Sequence, residues 1–438
     1  MELAIRIKVP MMEIPEKHCW DRTYVINRFF FGHRIIYDIN VMQQIDTFGH
    51  FYKTDRLSFL YGVFTVSTVV GFIPRIPQLL VYGFLVVFAL YCFGKPHKTN
   101  RWLVAFLLYI PLELHIAQPD PLFKSWPRYA MFVLLLACVS PLFLGEYHRM
   151  ARRRLMLILL WSCAFIGVGS FFCRFLGINY MVVKSMDVFK EVGLFGGLTI
   201  HSMLLGPISG IGAIFLSYQA MQTRWKWLWL CVVACLFSVF FSSSRIALAA
   251  SLAGIAAALY KLSGSVNKFL RMSLVAVLLA GSSFPFWSGA MDGIIEKNAG
   301  TASVINVSSR EKKWDVRMME FQGSPVFGVG FSSVNPILAE EEFDPVTGTI
   351  EPGTSWLAVF SMLGLIGAVF VLPFFYKCFR TVWQQHDAFH AIIVGVLTLL
   401  FVHMFAEGYI FSAGSFMCYI LWLTLGVAYD SKCSGRCL

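Results

Sequence analysis

An all-α polytopic membrane protein is the fold class this sequence predicts, and three observations predict it. Of 438 residues, 57% are hydrophobic and 14% charged, with a mean hydropathy of +0.67. A soluble chain carries about a quarter charged residues, so two or three soluble domains are excluded. Apolar runs of span length then recur along the chain, where a span takes about 17–25 apolar residues. Finally, the basic residues gather in alternate connections between those runs, as cytoplasmic loops require.

Twelve spans are expected, at about 57–74, 76–93, 102–117, 129–145, 155–176, 199–219, 225–242, 245–260, 268–288, 354–376, 389–405 and 409–429. Pro74 and Pro77 divide the first apolar block into a hairpin. The resulting organisation is a cytoplasmic N-terminal segment at 1–56, nine spans within 57–289, one large loop at 290–353, three spans within 354–429 and a cytoplasmic tail at 430–438. Residues 1–56 lack the charged, apolar and small-residue regions of a signal peptide, so the first span is expected to anchor the chain.

Charge sets the expected orientation. With the N-terminus in the cytoplasm, the inside connections hold sixteen Lys and Arg. The short outside connections hold five: Arg75, Lys124, Arg128, Lys184 and Lys190. That parity leaves both termini cytoplasmic and loop 290–353 outside. The loop has five basic and ten acidic residues, so its sign is opposite to that of the cytoplasmic face. The overall charge of +11 therefore reads as attraction to anionic lipid. No nucleic-acid-binding pattern accompanies it, and no nucleic-acid partner is expected. Of the eleven cysteines, none lies in 290–353. Cys433 and Cys437 have no second ligand pair in the sequence, so free thiols and no metal site are expected.

The residues suited to chemistry sit near the outside face. FFSSSRIALAAS puts Ser243, Ser244 and Arg245 at the mouth of the eighth span, ahead of a stripe of small residues that permits close helix packing. A guanidinium held there suits a diphosphate, which it binds through two parallel hydrogen bonds; a snorkelling arginine is the plain alternative. In SSREKKWDVRMMEF, Ser308 or Ser309 caps an expected helix carrying Trp314, Met318 and Phe321 at helical spacing, more often core than ligand contacts. Arg310 then lies at a helix N-terminus, where backbone N–H groups attract anions. GSPVFGVGF, with Gly328 and Gly330, is a turn signal that either cradles phosphate or returns the chain to the membrane. Lys297 adds positive charge after the ninth span. Glu407 in HMFAEGYIF and His201 in GGLTIHSML stand near the same face, His201 beside glycines that suit a broken helix.

Together SSSRIALAAS (242–251), SSREKKWDVRMMEFQGSPVFGVGF (308–331) and TSWLAVFSMLGLIGAVF (354–370) resemble the O-antigen ligase and O-antigen polymerase superfamily. The layout of twelve spans with one large loop after the ninth is similar too. The resemblance implies a GT-C-like membrane glycosyltransferase fold in the bacterial inner membrane, working without a metal or other cofactor. It implies transfer of a glycan from an undecaprenyl-diphosphate carrier to a lipid A–core hydroxyl or a growing glycan on the periplasmic face, among membrane lipids. Arg245 and Arg310 correspond to the family's diphosphate-contacting arginines, with Lys297 as further charge. The family's ligases carry a histidine near the start of the tenth span. This chain has EPGTSW there, which leaves Glu351 as the nearest carboxylate to take the acceptor proton, its own affinity for a proton raised by lipid-side burial. A transporter or flippase for a lipid-linked or anionic substrate is the other class the composition admits. It requires ionisable groups at mid-membrane depth and paired broken helices, whereas the candidate residues gather at one face and no internal repeat is visible.

Overall fold

A computed structural model of the chain describes residues 55–181, 195–223, 225–267, 269–271, 309–339 and 342–434. Among these, the helices are α1 (Arg56–Ser67), α2 (Gln78–Phe93), α3 (Arg101–Ala117), α4 (Ser125–Val139), α5 (Glu146–Phe175), α6 (Ser202–Thr223), α7 (Lys226–Phe241), α8 (Arg245–Ser263), α9 (Ser309–Gly323), α10 (Ser355–Trp383), α11 (Ala388–His403) and α12 (Phe416–Ser434). A two-residue antiparallel ribbon joins β1 (Lys98–Thr99) to β2 (Phe143–Leu144). Five helical stretches are long and apolar enough to cross a membrane: Pro121–Val139, α5, α6, α8 and α10. Helices α2, α7 and α11 are apolar but shorter. The expected ninth span, Lys297 and residues 1–54 lie outside the described residues.

Several helices differ from the runs read off hydropathy. Helix α1 stops at Ser67 rather than continuing to 74. Beyond it Val70 pairs with Thr199 across an isolated bridge, and Gly71 N–H donates to Leu198 O. The prolines that follow cannot extend a helix. Helix α5 begins at Glu146, so the polar stretch EYHRMARRR is helical and joins the apolar run after it. Helix α12 starts only at Phe416, because residues 404–415 form a chain of turns rather than the start of a span. Helix α6 is one helix with Pro207 inside it; the glycines before His201 lie in a turn ahead of it, and residues 182–194 lie outside the described residues.

Small residues set the closest packing. A Cβ on Gly254 of α8 would stand 2.7 Å from Gly395 O of α11, and one on Gly210 of α6 would stand 2.0 Å from Ser251 Oγ of α8. Backbones that approach this closely gain dispersion contacts, which drive helix association where lipid is as apolar as the side chains. The aromatic core adds Trp422, fully buried against Phe132, Phe374 and Phe375.

Helix ends carry the polar contacts. At one end, Arg152 of α5 is fully buried and forms two parallel bonds to Asp430 of α12 (2.7 and 2.9 Å), while its Nη1 donates to Ser140 O and Phe143 O. At the other end, the segment from α9 to Thr354 lies over the starts of α4 and α10, the end of α3 and the α11–α12 connection. That second end holds the candidate site.

Candidate functional site

Helix α9 turns Arg317 and Glu320 inward and leaves Glu311, Lys312 and Asp315 exposed. Arg317 is fully buried, with Nη1 2.7 Å from Glu320 Oε2 and Nη2 2.6 Å from Glu342 Oε2. Glu320 also accepts from Asn335 N–H at 2.7 Å, whereas Glu342 Oε1 is buried with no hydrogen-bond partner among the described residues. One cation faces two carboxylates. Burial raises both carboxyls above the usual glutamate range, and Arg317 offsets this only in part. Trp314, Met318 and Met319 stay substantially exposed. The core role expected of Trp314 and Met318 is therefore not found: the ion-pair cluster takes the inner face of the helix. Phe321 alone of that stripe packs inward, edge-on against Phe360 of α10.

The glycine turn is structural. Gly328 and Gly330 have φ of +83° and +117°, which only glycine adopts cheaply. Val329 N–H donates to Ser361 O (2.8 Å), Gly330 N–H to Met362 O (3.1 Å) and Phe331 N–H to the carboxylate of Glu113 in α3 (3.1 Å). These amides are already used, so the turn is no phosphate cradle. It docks instead on a kink in α10 at Gly364, whose added Cβ would lie 2.2 Å from Val326 O.

Segment 349–355 then gathers several of the expected residues. Lys313 Nζ, on the second turn of α9, lies 2.8 Å from Glu351 Oε2. The Glu351 side chain is 77% exposed, so the lipid-side burial expected of it is absent. The charge of Glu351 reaches His201, where it favours the protonated ring against the larger, opposing effect of desolvation, which lowers the histidine below its ordinary value. His201 caps α6, accepting the Met203 N–H at Nδ1 (3.1 Å). Four residues after Glu351, Ser355 accepts the Tyr409 N–H and donates Oγ–H to Glu407 O at 2.7 Å, which fixes the turn that presents Glu407.

Arg245 opens α8. Ser243 adopts a left-handed φ of +53°, which turns the chain sharply out of α7, and Ser244 caps the new helix through Ala247 N–H. The exposed Arg245 follows directly. The α8 start packs on the first turns of α6, where a Cβ on Gly206 would meet Ala247 Cβ at 2.6 Å and Ser242 Oγ at 3.0 Å. His201 and Arg245 thus stand at neighbouring helix N-termini. Arg310 is the second residue of α9; its side chain and the expected cap at Ser308 lie outside the described residues. Among the described residues no three His, Cys, Asp or Glu side chains form a metal-holding group. Cys433 and Cys437 side chains lie outside the description.

Sequence reasoning missed Arg317, Glu113 and Arg128. Glu113 is fully buried at the end of α3, and Arg128 of α4 donates to Ser332 O (3.1 Å) and Gly348 O (2.6 Å), pinning the loop to the bundle. A lone acid in an apolar run signals Glu113; nothing local signals which loop carbonyls Arg128 binds.

A family model described as O-antigen ligase matches residues 230–372. The match runs from α7 into α10 and contains Arg245, Lys297, Arg310, Trp314 and Glu351, while His201 and Glu407 lie outside it. No curated protein matches the chain.

Proposed function

Because the chain belongs to the O-antigen ligase superfamily, with a ligase- or polymerase-like role in surface glycan assembly, we propose that it transfers a glycan from an undecaprenyl-diphosphate carrier to an acceptor hydroxyl at the periplasmic face of the inner membrane. The observation that carries the reading is the convergence at one end of the bundle of two neighbouring helix N-termini, those of α6 and α8, with Arg245 at the second and the Glu351–Lys313 pair beside the first. Helix N-termini carry partial positive charge and unsatisfied N–H groups, so they favour the diphosphate of a carrier.

In the proposed reaction the acceptor oxygen attacks the anomeric carbon as the bond from that carbon to the diphosphate oxygen breaks. The acceptor proton passes to a base, and negative charge develops on the departing diphosphate. Arg245 and Arg310 stabilise that charge, with Lys297 adding to the field. Glu351 orients the acceptor hydroxyl and takes its proton. Its Lys313 partner, 2.8 Å away, positions its exposed carboxylate. His201, within reach of the Glu351 charge, assists in holding the acceptor. Glu407 and Trp314 line the approach.

Deletion of the gene, followed by electrophoresis of the surface glycans, tests the assignment. Loss of all polymer from the lipid A–core identifies a ligase, and a single repeat unit on the core identifies a polymerase. An unchanged pattern rejects both. Arg245→Ala is expected to lower transfer by about 10²–10³-fold, the usual cost of one transition-state donor, in an assay of purified protein with lipid-linked glycan.

A further inference from the structure

Helix α9 runs alongside the start of α10 and in the same direction. Lys313 stands beside Gly353, whose added Cβ would lie 2.7 Å from Lys313 Cβ. Further on, Phe321 meets Phe360, and Pro325 O accepts from Leu365 N–H at 2.8 Å. The turn after α9 therefore reaches Leu365, which lies about 15 Å along α10 from Ser355 at 1.5 Å per residue. Helix α10 is long and apolar enough to cross a membrane, and the chain carries no charge between Glu351 and Lys377. The helical part of that uncharged run, 355–376, is about 33 Å long, against about 30 Å for a hydrocarbon core. Leu365, and with it the turn, falls well inside that thickness.

The exposed side chains change character along the same path. Glu311, Lys312 and Asp315 are exposed in the first turns of α9. From 316 to 331 the only charged residues are Arg317 and Glu320, and both are buried in one ion pair. This stretch exposes Met318, Met319, Gln322, Gly323, Pro325 and Val326 instead. Just beyond, Leu365 and Val369 of α10 are exposed, as lipid-facing side chains are.

The backbone of the turn is satisfied in the way a bilayer demands. Non-helical chain is tolerated at membrane depth only where protein takes up its polar groups. Gly328 N–H donates to Ser324 O, Val329 N–H to Ser361 O and Gly330 N–H to Met362 O. Phe331 N–H donates to Glu113, itself fully buried in the bundle. Pro325 has no N–H to satisfy.

We infer that residues 321–331 form a re-entrant segment embedded in the leaflet at the loop end of the bundle, touching lipid through Val326. The partner is lipid rather than protein because Val326 continues, without a break, the exposed apolar face of a membrane-crossing helix. Trp314, partly exposed nearer the start of α9, stands at the headgroup level where indoles collect. Lys313, and the Glu351 carboxylate it holds, are thereby fixed at the bilayer boundary.

The test uses the full chain in phosphatidylcholine nanodiscs, with one nitroxide attached at Val326→Cys, Val369→Cys or Ile337→Cys and the labelled unsubstituted chain as background. Collisions of the label with oxygen, which concentrates in lipid, are compared with collisions with a water-soluble nickel chelate. All three native side chains are exposed, yet oxygen is expected to dominate at 326 and 369 and the chelate at 337. Met318→Cys, one turn beyond Trp314, is expected to read between 326 and 337. Chelate collisions at 326 as frequent as at 337 overturn the inference and make the turn a surface loop in water. Few collisions with either reagent at 326 overturn it too, in favour of a protein covering this face. If Val326→Cys does not fold, Met318→Cys decides: a ratio equal to that at 337 overturns the inference, and a more lipid-like one upholds it. No glycan enters the measurement, so its outcome is separate from that of the transfer reading.

Discussion

Glu342 is the residue where burial and charge conflict most directly. One of its oxygens meets Arg317 at 2.6 Å; the other is buried with no described partner. Desolvation raises its affinity for a proton, with Glu351 adding to the rise and Arg317 and Lys313 opposing it. A carboxyl raised in the folded state binds its proton more tightly there than in the unfolded chain. Its contribution to stability is therefore present at low pH and is lost as pH climbs through and above the ordinary glutamate range. Protection factors of the α9 amides, with the intrinsic pH dependence of exchange divided out, should accordingly fall from mildly acidic to neutral pH. Glu342→Gln, which cannot ionise, should flatten that profile; an unchanged slope would mean that other groups titrate. Arg317→Ala is expected to cost about 3–5 kcal/mol, because two buried carboxylates lose their shared cation, readable as a fall in thermal stability. None of this was legible in REKKWDVRMME. Its helical spacing offered Trp314 and Met318 as the inner face. The helix itself was legible from Ser309 onward; which face it buries depended on Glu342, 25 residues away.

At the scale of elements, apolar length located most helices, and local chemistry set their ends. Asp55, Asn100, Ser244 and Asp387 each cap a helix through a side-chain oxygen, as their residue types allow. What hydropathy did not reveal is the kink in α10. LGLIG reads as an ordinary span, yet Gly364 holds φ +63°, ψ −167° and lets the 325–330 turn hydrogen-bond into the helix at Ser361, Met362 and Leu365. Gly364→Ala places a non-glycine residue in a region that costs about 1–3 kcal/mol and drives its Cβ against Val326 O at 2.2 Å. A lowered melting temperature is expected, together with faster proteolysis of the loop after α9, since the kink is its dock. A melting temperature equal to wild type would show that the turn and the helix are independent.

For the whole molecule, two ends of one bundle divide the polar work. The β-ribbon and the Arg152–Asp430 pair occupy one end, and the loop, His201 and Arg245 the other. Alternation of basic connections anticipated such a division, because lipid headgroup charge acts on every connection separately and needs no tertiary contact to be read. The same charge rule predicts the orientation, with the loop end expected outside. Ile337 in the loop is 88% exposed, and Lys98 is exposed on the β-ribbon. In cells with a permeabilised outer membrane, Ile337→Cys is expected to react with a membrane-impermeant maleimide, and Lys98→Cys only after the inner membrane is broken. Seven of the eight described native cysteines are buried and one is partly buried, so the unsubstituted chain sets the background. Labelling in the reverse order would put Arg245 and Glu351 on the cytoplasmic side and would reject the proposed reaction, which is set at the periplasmic face.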